Sequence, residues 1–194
     1  MVTLSIPQWT AQGVLPPIVP GTSTTADRSP YKVPLTDVVL QYATSPERNA
    51  IIEGFLRFRA ALHEAGLDKG FQWIDGSFLE NIEVMENRPP NDMDVVTFYH
   101  LPPGKTQQSI LDAAPQLFSN EHSKQAYQID AYIVQLNNQS PEQLFKVSTY
   151  WYSLWSHRRN DLWKGYLQVD LAPDEDDIAR TSLDAKQGEA GEQS

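Results

Sequence analysis

The sequence predicts a mixed α/β domain, because strand-like and helix-like segments alternate along the chain. The strand candidates are short runs of β-branched and aromatic residues, followed by turn-forming residues. The helix candidates carry apolar residues at helical spacing. With 194 residues, of which 40% are hydrophobic, the chain is long enough for one domain with a sizeable core.

Helix boundaries are indicated by capping residues and by prolines. Ser45 and Pro46 are typical of the first positions of a helix that we expect to end at Gly66. Residues 105–118 are predicted to be helical, and Pro141 is predicted to begin a further helix. The predicted core face of that last helix consists of Leu144, Val147, Trp151 and Leu154.

Four segments are predicted to be strands. Each is rich in residues that favour extended backbone, and the first is followed directly by Gly76-Ser77, which indicates a tight turn. The predicted strands cover residues 71–75, 91–99, 126–136 and 165–171.

The two ends of the chain differ in composition from its middle. Six of the 14 prolines fall within the first 35 residues, interspersed with apolar residues such as Trp9 and Leu15. We therefore predict that residues 1–44 form a proline-rich arm packed on a domain of residues 45–171. Residues 172–194 hold seven acidic and two basic residues, which predicts a disordered acidic tail. A docking role for the tail, and a free or partner-binding arm, are the alternatives.

The overall composition excludes several classes of protein. With 15 basic and 25 acidic residues, the net charge is −10, which argues against coating nucleic acid by bulk electrostatics. The absence of Cys excludes disulfide scaffolds, Cys-based zinc sites and thiol nucleophiles. The sequence has no apolar window of ~18 residues and no signal-peptide pattern. We therefore expect a cytoplasmic protein without a membrane partner.

Three aspartates are candidate metal ligands. Asp92 and Asp94 are two residues apart, so in a strand their side chains project from the same face, roughly 6.6 Å apart along the chain. Such a pair near a strand end is able to share a divalent metal, although Pro89 to Asp92 also resembles a simple turn. Asp130 lies in an apolar strand, where a buried carboxylate needs a metal or an ion pair with Arg or Lys.

Two further sequence features are candidates for phosphate binding. Gly76 and Ser77 follow a strand, where backbone N–H groups and a hydroxyl are able to hold a phosphate. His157, Arg158 and Arg159 form a basic cluster, which fits a triphosphate, a nucleic-acid acceptor or a solvated loop equally well.

The order of these features resembles the nucleotidyltransferase fold of the DNA polymerase β-like superfamily, and within it the minimal nucleotidyltransferases. The similarity rests on the segments WIDGSF at 73–78, NDMDVV at 91–96 and IDAY at 129–132. The wider pattern, over about residues 5–171, is similar to a bacterial branch of that superfamily. The resemblance implies a central mixed β-sheet flanked by helices.

The resemblance also implies an activity and the residues that perform it. Gly76 and Ser77 would bind the nucleotide, and Asp92, Asp94 and Asp130 would be catalytic carboxylates that hold Mg²⁺ or Mn²⁺. The expected function is transfer of a nucleotide from an NTP to an RNA, protein or small-molecule acceptor. A toxin–antitoxin or phage-defence setting, with a cognate antitoxin or partner protein, is part of this hypothesis. The alternative is a catalytically inactive protein of the same fold that binds a nucleotide or a partner chain.

Overall fold

Five strands form one mixed sheet in the computed structural model, which describes residues 5–19, 21 and 27–192. The spatial order of the strands is β1-β5-β2-β3-β4. Strand β2 is antiparallel to its neighbours β5 and β3, whereas β1–β5 and β3–β4 are parallel pairs. The strands are β1 (Tyr31–Lys32), β2 (Gly70–Asp75), β3 (Met93–Tyr99), β4 (Ile129–Gln135) and β5 (Leu167–Asp170).

Helices flank this sheet, which confirms the predicted mixed α/β class. The longest begins at Pro46, where the Ser45 hydroxyl accepts a hydrogen bond from the Arg48 backbone N–H. In the described part of the chain, no helix has the length and apolar character needed to cross a membrane. The helices are α1 (Leu35–Tyr42), α2 (Pro46–Glu64), α3 (Ile82–Glu86), α4 (Gln107–Ala113), α5 (Asn120–Tyr127), α6 (Pro141–Trp155) and α7 (Asp176–Glu192).

Two predicted element boundaries are wrong for local reasons. The helix predicted over 105–118 divides into α4 and a 3₁₀ turn, Pro115–Phe118, because Pro115 has no N–H with which to continue an α-helix. The strand predicted from residue 126 begins only at Ile129. Helix α5 occupies the preceding residues and ends at Tyr127, followed by the C-cap residue Gln128, which has a left-handed backbone (φ 58°).

The predicted core face of α6 needs one correction. Trp151 is buried as expected, but Leu154 is 52% exposed and Trp155 is buried in its place. Positions 151 and 155 are four residues apart, so both side chains lie on the same side of the helix, against the sheet. Leu154 instead faces a cleft that is described below.

The segment predicted as a proline-rich arm lies against the rest of the protein where it is described. Ile6, Val14 and Leu15 are buried, and the Trp9 indole N–H donates a 2.7 Å hydrogen bond to the Leu79 carbonyl. The C-terminal part of the same segment contains β1 and α1. The predicted boundary at residue 44 therefore falls between α1 and α2.

The prediction of a disordered acidic tail is wrong for residues 173–192. A short 3₁₀ turn, Pro173–Glu175, leads into α7, which packs against α1 and α2. Ala179 and Leu183 are fully buried, and the Asp176 carboxylate binds the buried guanidinium of Arg59 at 2.6 Å. Among the residues of α7 whose burial the structure describes, the buried apolar side chains are Ala179 and Leu183, one turn apart, so the acidic composition concealed the helix. Residues 193 and 194 lie outside the described part.

The packing of α7 predicts unequal effects of two apolar truncations on the same helix. Leu183→Ala should lower the free energy of unfolding by about 2–4 kcal/mol, because it leaves a cavity in a filled core. Ile178→Ala is the matched control, with a side chain that is 58% exposed, and should change stability by less than about 0.5 kcal/mol. Urea unfolding measures both. Equal, small losses of stability in both variants would contradict the packing of α7 against α1 and α2.

Candidate active site

Three carboxylates form a row across adjacent strands at one end of the sheet. Asp75 on β2 is the register partner of Asp94 on β3, and Asp94 is in turn the partner of Asp130 on β4. Directly paired residues share one face of a sheet, and neighbouring strands are about 4.8 Å apart. The row therefore brings two predicted site residues together and adds Asp75, which the sequence analysis did not assign to the site.

The Gly76–Ser77 turn lies directly beside this row. Gly76 has φ 89°, and a Cβ at this position would lie 2.4 Å from the Asp94 Oδ2 atom. Only glycine therefore combines this backbone with so close an approach to the carboxylate. Ser77 then begins the 3₁₀ turn Ser77–Leu79.

A cleft of about 760 Å³ opens in front of the turn. Its lining includes four of the predicted site residues, namely Gly76, Ser77, Asp92 and Asp94. Asp130 is not part of the lining; it stands on the next strand beside Asp94. All three members of the basic cluster, His157, Arg158 and Arg159, also line the cleft.

Asp94 is the least compensated carboxylate of the site. Burial raises its pKa to about 6, and the neighbouring charges of Asp92 and Asp130 contribute to the same increase. Throughout residues 5–19, 21 and 27–192, no group donates a hydrogen bond to the Asp94 side chain. The carboxylate thus lies in the cleft between two others, in the place where an added cation would be most stabilising.

Helix α5 supplies the groups that contact the other two predicted carboxylates. The Lys124 ammonium is 2.7 Å from Asp92 Oδ2 and 3.5 Å from Asp130 Oδ2. The hydrogen bond to Asp92 and the charge of Asp130 raise the pKa of Lys124. One turn earlier, the Asn120 amide donates a 2.8 Å hydrogen bond to Asp130 Oδ1.

These contacts bear on whether the aspartates fit a metal ion. Their carboxylate oxygens are the ligands that Mg²⁺ prefers. Within the part of the chain that the structure describes, however, no three acidic or histidine side chains are arranged so that they could hold a metal. The Lys124 ammonium instead contacts two of the three aspartates. The carboxylate oxygens are therefore of the type that binds a divalent cation, but the Lys124 ammonium already contacts those of Asp92 and Asp130.

A network of paired charges also lines the cleft and includes Asp75, the first carboxylate of the row. The buried Lys164 ammonium lies 2.9 Å from Asp75 Oδ1 and 3.3 Å from Glu80 Oε1. Burial raises the pKa of Asp75, and the charge of Lys164 opposes that increase. Arg158 pairs with Glu80 and Glu86 at 3.2 and 2.7 Å, so its charge within the basic cluster is already neutralised.

Sequence reasoning identified Arg158 as part of a basic cluster but did not predict the ion pairs of this network or assign Asp75 and Glu80 to the site. Asp75 ends an apolar strand, which is the same signal that identified Asp130, so the sequence did contain a cue for it. Lys164 has no comparable cue, because its partners are more than 80 residues away along the chain.

One comparison with known proteins gives a match. A family model matches residues 7–170. The chain belongs to a family of unknown function, DUF6932. No curated protein and no solved structure matches the chain. The DUF6932 match includes every site residue named above and ends before α7.

The electrostatics of this DUF6932 protein predict a pH-dependent effect of Asp94→Asn. A carboxyl whose pKa is higher when folded than when unfolded binds its proton more tightly in the folded protein. The contribution of this carboxyl to the stability of the protein therefore becomes more unfavourable as the pH rises from about 4 to about 6. The amide removes this penalty, so the variant should be more stable than the wild type by about 2 kcal/mol near pH 8.

Urea unfolding at several pH values measures this difference. The gain should disappear below about pH 3, where the wild-type carboxyl is protonated in both states. Asp112→Asn is the control, because Asp112 is an exposed aspartate that contacts Gln108 on α4. A loss of stability in Asp94→Asn at high pH would show that the carboxylate is compensated in the folded protein.

Proposed function

We propose that the protein is a metal-dependent nucleotidyltransferase that transfers a nucleotide from an NTP to an acceptor hydroxyl. The observation that carries the proposal is the close approach of the Gly76–Ser77 turn to Asp94, with Asp130 beside it on the next strand. A turn suited to phosphate thus adjoins carboxylates suited to a divalent cation. The resemblance of the WIDGSF, NDMDVV and IDAY segments to the minimal nucleotidyltransferases agrees with this arrangement.

Each group of the chain has a role in this proposal. Backbone N–H groups after Gly76 and the Ser77 hydroxyl bind the phosphates of the NTP. As they stand, with Lys124 on two of them, Asp92, Asp94 and Asp130 do not form a complete metal site. With that ammonium displaced, the three carboxylates would hold Mg²⁺ or Mn²⁺, which would neutralise charge on the phosphates and acidify the attacking hydroxyl. Asp130 would help to deprotonate that hydroxyl, directly or as a metal ligand, and Asn120 orients it through a hydrogen bond to Oδ1.

The acceptor in this proposal is an RNA, a protein or a small molecule with a free hydroxyl. Arg159 is an exposed member of the basic cluster at the cleft, and it is suited to contact an anionic part of either substrate. A toxin–antitoxin or defence role, with a cognate partner protein, belongs to the same proposal.

A second candidate function is nucleotide or partner binding without catalysis. The contacts of Lys124 with Asp92 and Asp130 favour it, because an internal ammonium reduces the negative charge that attracts a metal. Such a protein would bind a ligand in the same cleft and release no pyrophosphate.

Incubation with each α-labelled NTP, Mn²⁺ and cell lysate distinguishes the two functions. The proposal predicts pyrophosphate release and a labelled acceptor. Asp94→Asn should reduce this activity by at least about 100-fold, since it weakens one of three metal ligands. The matched control Asp112→Asn lies on α4 and should retain full activity. Nucleotide binding without pyrophosphate release, with every NTP, would support the second candidate instead.

A further inference from the structure

Lys124 is fixed close to the candidate metal ligands although its own side chain is half exposed. It lies on α5, which ends at Tyr127, only two residues before β4 begins. The helix and the strand therefore hold Lys124 and Asp130 in one short unit of the chain. Lys124 also contacts Asp92, which precedes β3, so its ammonium bridges two strands of the sheet. Asn120 holds the other oxygen of Asp130 in place.

The charges around this ammonium are unbalanced. Asp92, Asp94 and Asp130 bring three negative charges to the site, and Lys124 is the only cation of the described residues that contacts them. Lys164 contacts Asp75 and Glu80 instead. A divalent cation that binds Asp92 and Asp130 would share both carboxylates with the ammonium that now contacts them. Two cations at one carboxylate pair repel each other.

We propose that Lys124 is an internal cation that competes with a divalent metal for Asp92 and Asp130. The inference rests on the proposed function, because it concerns the metal of that site. The Lys124 ammonium contacts Asp92, which lines the cleft although Lys124 itself does not. A phosphate group of an NTP bound beside Asp92 would therefore offer the ammonium a new anionic partner. The two carboxylates then become free for the metal, so metal and NTP each promote the binding of the other. Lys124 is a positioning residue in this scheme, since it acts through the aspartates.

The test is a titration of the protein with Mn²⁺ alone, in which electron paramagnetic resonance measures the concentration of free Mn²⁺. Lys124→Met should bind Mn²⁺ roughly tenfold more tightly than the wild type, because the competing charge is gone. Lys124→Arg keeps the charge and should behave like the wild type. Lys146→Met is the matched control, since Lys146 is an exposed lysine on α6 that pairs with Glu142, and it should change little.

A second titration, with the α,β-methylene analogue of each NTP present, measures the coupling. The analogues should tighten Mn²⁺ binding in the wild type and much less in Lys124→Met. Circular dichroism shows whether each variant is folded, and Lys124→Gln replaces the methionine variant if that one is not.

The outcomes separate this inference from the proposed function. Equal Mn²⁺ affinity in the wild type and Lys124→Met would overturn the inference and leave the metal site standing. The same gain in Lys146→Met would also overturn it, because a general charge effect would then explain the result. Absence of Mn²⁺ binding in all variants, with and without the NTP analogues, would overturn the proposed function itself.

Discussion

The arrangement of charged groups in the site depends on the repulsion between carboxylates at one end of the sheet. The register of β2, β3 and β4 aligns Asp75, Asp94 and Asp130 on neighbouring strands. Carboxylates at that spacing cannot all be ionised without compensation in a partly buried place. The fold supplies a cation at each end of the row, Lys164 beside Asp75 and Lys124 beside Asp130. The middle carboxylate, Asp94, has no such partner among the described residues.

Helix α2 fixes the position of the site through two buried arginines. Arg48 donates hydrogen bonds to the Phe78 and Glu80 carbonyls and pairs with Glu83, so it holds the chain that follows the Gly76–Ser77 turn. Arg59 donates to Gln72 on β2 and to Asp176 at the start of α7. A buried guanidinium is tolerated only when its donors are satisfied. The same helix therefore connects the chain after the Gly76–Ser77 turn, the sheet and the C-terminal helix α7.

The sequence allowed prediction of those parts of the site that depend on local pattern. Asp92 and Asp94 precede a run of β-branched and aromatic residues, and Asp130 interrupts another, so both strands and their carboxylates were identifiable. Lys164 and Lys124 were not, because their roles depend on strand order and on how α5 approaches β3, which are non-local properties. The acidic tail was misjudged for a related reason. Its helix is stabilised by Arg59 and by contacts with α1 and α2, which its own composition does not reveal.

The charged groups that line the cleft differ in what they offer a ligand. Lys164 and Arg158 are each shared between two carboxylates, so little of their charge remains for binding. Asp94 is partly buried, and no group of the described residues donates a hydrogen bond to its side chain, which is a costly arrangement for a carboxylate that served only the fold. Under the proposed function, a divalent cation bound together with a triphosphate would compensate this cost, and the triphosphate would give Lys124 an anionic partner. The position of Asp94 thus supports the proposal of a ligand that carries both charges together.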